Sequence, residues 1–103
     1  MKTLKNEKFK EPKVEPNNDY KSMILFCIRQ SGVKGLTFGD IQDRMKLIDS
    51  INKCNGDIKL ENEEWKNVNE VLNTITLFYG GNKILSEQTL KELSEFGEKI
   101  KLI

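Results

Sequence analysis

Residues 62–86, NEEWKNVNEVLNTITLFYGGNKILS, constrain the fold more than any other part of the chain. They hold the only tryptophan, a dense helical spacing of apolar residues and a Gly-Gly pair. Asn62 is a favoured N-cap, and Glu63 and Glu64 fall in the first turn, where the helix dipole favours negative charge. Trp65, Val68, Leu72, Ile75 and Tyr79 recur every three or four residues, with Val71 and Phe78 beside them. Two continuations fit. The helix runs to Phe78, stops at Gly80 and leads into a short strand at 83–85. Alternatively it ends near Asn73, and the β-branched, aromatic run 75–79 turns across Gly80-Gly81 into a hairpin. Periodicity does not arbitrate between them; the longer helix is the preferred reading.

Three further helices are readable around this stretch. Asp19 is placed to cap a first helix in which Tyr20, Ile24, Cys27, Ile28 and Ser31 form one stripe. Met23, Leu25 and Phe26 widen that stripe, so the middle of the helix is expected to be buried on more than one side. Gly32 is expected to end it. Thr37-Phe38-Gly39-Asp40 has the spacing of a capping box, in which hydroxyl and carboxylate satisfy helix amides reciprocally. Phe38, Ile41, Met45 and Ile48 then predict the buried stripe of a second helix that ends before Asn52, and Leu47 and Ile51 are placed to extend it. Asn55-Gly56-Asp57 is a turn signal, and 58–60 has the length of a very short strand. Ser86 and Glu87 start a last helix, with Leu90, Leu93 and Phe96 as its buried edge and Gly97 as its expected end. The tail 98–103 alternates like a terminal strand or a frayed turn.

Residues 1–18 predict a disordered charged arm, leaving 19–103 as the folded domain. The arm alternates Lys with Glu, holds both prolines and offers only Leu4, Phe9 and Val14 as scattered apolar groups. Composition of that kind does not bury enough surface to offset its ordering entropy. The expected fold class is therefore mainly α with a small β element, three or four helices after a disordered arm. No apolar run approaches the ~20 residues of a membrane span, and the amino end lacks a signal-peptide core, so the expected location is cytoplasmic with no membrane partner.

The residue types exclude several chemistries. The chain has no histidine and two cysteines without CxxC spacing, so no metal or cofactor is expected. Cys27 reads as a core side chain, and Cys54 as exposed and reduced. The acid pairs Asp40/Asp43 and Glu63/Glu64 are explained by helix starts, and no nucleophile converges with a base. The reading is therefore not an enzyme, with no catalytic residues.

The order of helix, turn, capped helix, helix, short β element and closing helix resembles a winged helix-turn-helix domain over about residues 19–97. Gly35-Leu36-Thr37-Phe38-Gly39-Asp40-Ile41 is similar to the start of its positioning helix. Val68-Asn69-Glu70-Val71-Leu72-Asn73-Thr74-Ile75 resembles its recognition helix, and 82–90 a wing strand feeding a closing helix. The resemblance implies a small DNA-binding regulator, with Lys34, Arg44 and Lys46 on phosphates, Lys66, Asn67 and Asn73 toward bases, and Lys83 on the wing. Residues 21–47 carry five basic groups against two acids, which suits duplex DNA. Residues 48–103 carry seven lysines against ten acids, which does not. That acidic half motivates an alternative, a protein-interaction module or inhibitor that uses Glu63, Glu64, Glu70 and an exposed Trp65 to hold a basic nucleic-acid-handling protein. Abundant Lys, Asn and Ile fits an AT-rich phage or mobile element, and a homodimer is compatible with either reading. The two are to be separated by surface charge: a continuous basic face favours DNA, and acidic interruptions favour a protein.

Overall fold

The computed structural model describes residues 1–10, 19–30, 36–74 and 86–103. In chain order these form β1 (Lys2–Leu4), α1 (Tyr20–Gln30), α2 (Phe38–Asn52), β2 (Ile58–Leu60), α3 (Asn62–Thr74) and α4 (Glu87–Lys101). The architecture is mainly helical with one small two-stranded sheet. The expected strand at 83–85, the Gly80-Gly81 turn and the choice between helix and hairpin over 75–79 lie outside the described residues, as does the Gly32 stop. Among the described residues no helix is long and apolar enough to cross a membrane.

α1 is the hub. Tyr20, Met23, Ile24, Leu25, Cys27 and Ile28 are all buried, because α2 packs on one side of the helix and α3 on another. A helix buried on several sides can use apolar residues around most of its circumference, which is how its sequence reads. Burial also pushes the Cys27 thiol up to about 11, so it stays neutral and acts as a core side chain. Cys54 is half-buried rather than exposed, and its sulfur accepts the Lys59 amide at 3.4 Å.

The first ten residues do not form the disordered arm that composition predicts. β1 pairs antiparallel with β2 in the register Lys2↔Leu60, Thr3↔Lys59, Leu4↔Ile58. Leu4 enters the core beside Ile58 and Leu60. The Trp65 indole N–H donates to the Lys2 carbonyl at 2.9 Å, and Phe9 packs against Tyr20 and Phe96 with ring centroids 5.3 and 5.7 Å away. Few apolar groups suffice here because each meets a partner already assembled by the helices.

This segment also completes the start of α1. Helix amides of the first turn lack intrahelical acceptors and need them from elsewhere. Ser22 N–H donates to the Asp19 carboxylate at 2.8 Å, the capping the sequence predicts. Tyr20 N–H donates to the Glu7 carbonyl at 2.9 Å and Lys21 N–H to the Asn6 side-chain oxygen at 3.0 Å. Partial burial works against charge on Asp19, yet hydrogen bonds from Ser22 and Asn6 outweigh it and hold the carboxyl below its usual range. The Lys99 ammonium bonds both Glu7 and the Tyr20 hydroxyl, the latter at 3.0 Å, and its hydrogen bond holds the Glu7 carboxyl low.

Two expectations for α4 fail. Ser86 caps it through the Thr89 amide at 3.1 Å, but the helix continues through Gly97 to Lys101. Of its expected buried edge Phe96 is buried and Leu93 partly buried, but Leu90 is half exposed, and Thr89, Glu92 and Ile100 complete the buried edge. The alternating tail is helical because Ile100 falls one turn beyond Phe96 on the buried edge, extending the packed stripe.

Leu4→Ala is expected to lower stability by about 2–4 kcal/mol, read from the urea midpoint. A loss below ~0.5 kcal/mol would place the first ten residues outside the folding unit. Gly97→Ala is expected to raise stability by roughly 0.5–1 kcal/mol, since a Cβ there meets nothing within 4 Å. A loss on that substitution would instead mark Gly97 as the helix end.

Candidate functional site

α2 divides its apolar residues between two faces. The capping box forms as the spacing predicts, with Asp40 N–H on the Thr37 hydroxyl at 3.1 Å and Thr37 N–H on the Asp40 carboxylate at 3.0 Å. Those bonds hold the Asp40 carboxyl below its usual range. The core-facing side chains are Leu47 and Ile51, with Ile48 partly buried beside them. The predicted buried stripe is the exposed one: Phe38 is 87% exposed, Met45 50% and Ile41 43%, with Leu36 at 39% just before the helix.

Helix geometry accounts for the difference. At about 100° per residue, Phe38, Ile41 and Met45 share one line, and Leu47 and Ile51 share another roughly 120° away. Ile48 lies between the two lines. The apolar arc therefore spans about half the helix, more than one packing contact uses. The spacing identifies a stripe at each line but not which of them meets α1 and β2. The width of the arc is the signal that reveals a surplus face.

On the core-facing side of α2, this helix and α3 border a cleft of about 300 Å³. Asp40, Asp43 and Arg44 line it from α2, and Asn67 and Glu70 from α3, over the buried Leu47 and Val71. The described lining thus holds three carboxylates and one guanidinium. Among the described residues Arg44 forms no ion pair, and its Nε is buried without a hydrogen-bond partner. Among the described lining residues acids outnumber cations, although Arg44 was expected on a phosphate-binding face.

The other expected site residues scatter. Lys46 is exposed on α2, away from the cleft. Lys66 and Asn73 line a separate shallow recess of about 600 Å³ that α3 shares with Lys2 and Ile103. Lys34 and Lys83 lie outside the described residues. Glu63 is exposed, whereas the Glu64 carboxylate turns back to accept Glu61 N–H at 3.1 Å. That bond makes Glu61, not Asn62, the capping residue of α3, since its carbonyl also accepts Trp65 N–H at 3.0 Å. Trp65 is only 2% exposed, so it is a core residue and not an interface anchor. Its ring fits the core because the Lys2 carbonyl satisfies the indole N–H.

Among the described residues no cluster of His, Cys, Asp or Glu has the arrangement to hold a metal. Comparison of the chain with protein-family models, with curated proteins and with solved structures finds no match in any of the three.

The split of α2 has a direct consequence for stability. Ile51→Ala is expected to cost about 2–4 kcal/mol, whereas Phe38→Ser, on the same helix, should change stability by less than ~0.5 kcal/mol. Urea unfolding of both variants checks this. A large loss for Phe38→Ser would mean that its ring packs into the fold.

Proposed function

We propose that this protein is a small protein-interaction module that docks its partner on the amino-terminal half of α2. The exposed stripe Phe38, Ile41 and Met45, extended by Leu36, supports this reading. Together these side chains leave on the order of 400 Å² of apolar surface in water, the size of patch that in a monomer commonly has a function. The capping box and the buried Leu47 and Ile51 hold the helix before any partner arrives, so binding orders little beyond the side chains. Phe38 is the natural anchor, because aromatic residues dominate the energetics of docked surfaces.

On this reading the winged-helix-like order of α1, α2, β2 and α3 is a scaffold rather than a DNA reader. Duplex binding rests on neutralising phosphates. The acidic groups at the α2–α3 cleft outnumber Arg44, and Glu63 and Glu70 outnumber Lys66 on α3. Acidic interruption of the basic residues is the pattern that favours a protein partner.

The test places a photo-crosslinking amino acid at Phe38 and, separately, at the exposed Lys91 of α4, in cells that make the protein. A discrete adduct with another protein from position 38 but not from 91 is the expected outcome. No adduct, or equal adducts from both, would sink the proposal. So would salt-sensitive binding to mixed DNA duplexes at ~50 mM salt, measured by fluorescence anisotropy, which would restore the DNA reading.

A further inference from the structure

Resting on that reading, we infer that the occupant of the α2 face is a second copy of this chain, its own α2 packed parallel about a two-fold axis. Phe38, Ile41, Met45 and Ile48 are spaced three, four and three residues apart, the a and d positions of two heptads. Such a seam is completed by another of the same spacing, which a second copy brings. Phe38, Ile41 and Met45 are exposed, and the half-buried Ile48 closes the seam where α2 meets the core. α1 and β2 pack on the Leu47–Ile51 line, roughly 120° round the helix, so a two-fold axis along α2 carries the two bodies to opposite sides.

The charges beside the seam select both the partner and its direction. In this register Arg44 takes a g position and Asp49 the following e position, on opposite flanks of the stripe. Parallel pairing sets each g against the following e of the other helix, so Arg44 of each copy meets Asp49 of the other. Among the described residues neither side chain has an ion pair within the chain. The remaining flank positions, Thr37 and Gln42, are uncharged, and Lys46 lies about 60° farther round than Asp49. Antiparallel pairing would instead bring Arg44 against Arg44 near the middle of the seam, where like charges cost affinity. The apolar patch is about half of the ~800 Å² per partner typical of a stable interface, so the dimer is a weak one, with a dissociation constant on the order of 0.1 mM.

The full chain is sedimented from ~10 µM to ~1 mM at ~50 mM salt, where flanking charges are least screened. A monomer–dimer equilibrium is expected. Phe38→Glu should abolish it, and Asp49→Lys, which alters an exposed residue, should weaken it roughly tenfold by setting Lys against Arg44. Direction is read separately with the photo-crosslinker at position 38. The adduct is expected to have twice the mass of the chain and to map to the amino-terminal end of the other α2. A monomer throughout the range, a species larger than a dimer, association unmoved by Asp49→Lys, or an adduct mapping to Ile48 overturns the inference. So does a crosslink from position 38 to a different protein, but that result leaves the docking role of α2 standing, so the two proposals fail separately.

Discussion

The amino end of α1 is buried because other parts of the chain supply its hydrogen bonds. Three amides at that partly buried end would otherwise lack acceptors, and a fully buried one left so costs about 1–3 kcal/mol. Asp19 provides one acceptor, and Glu7 and Asn6 provide the other two. The segment that carries Glu7 and Asn6 is held in turn by the pairing of β1 with β2, by the Trp65 indole and by the Phe9–Tyr20–Phe96 rings. Lys10 N–H adds a bond to the buried Glu92 of α4 at 2.6 Å. The first ten residues thus connect β2, α1, α3 and α4, and the hub helix depends on them.

With α1 committed to the core on several sides, α2 is left as the peripheral helix of the group. Its carboxyl-terminal half packs on α1 and β2 through Leu47 and Ile51, and its amino-terminal half projects beyond them. The capping box matters more there than in a buried helix. An exposed first turn has no packing to hold it, so Thr37 and Asp40 must satisfy its amides locally. A rigid, self-capped helix end bearing apolar side chains is a suitable geometry for docking, and it arises from the same division of labour that builds the core.

Local features of this fold are legible in the sequence, and long-range pairings are not. Asp19, Thr37 with Asp40, and Ser86 cap their helices as their spacing predicts, because capping needs partners only two or three residues away. The strand at Ile58–Leu60 and the many-sided burial of α1 are likewise readable from local pattern. The pairing of β1 with β2 joins segments more than fifty residues apart. A Lys-rich stretch with one leucine gives no hint of that pairing, so composition alone points to disorder. Which face of α2 is left exposed is illegible for a related reason. Phe38, Ile41 and Met45 satisfy the helical period as well as Leu47 and Ile51 do, and only the position of α1 decides which set is covered.

An exposed apolar stripe on a small protein needs something to restrict what it binds. The chain as a whole carries a net charge of +1, too little to steer partners at long range. Discrimination must therefore act within about a Debye length, ~8 Å at physiological salt, where individual charges beside the stripe are felt. On the reading proposed above, apolar contact on the stripe would supply the affinity, and the charges that border it on α2, Arg44 on one side and Lys46 with Asp49 on the other, would decide which surfaces can use it.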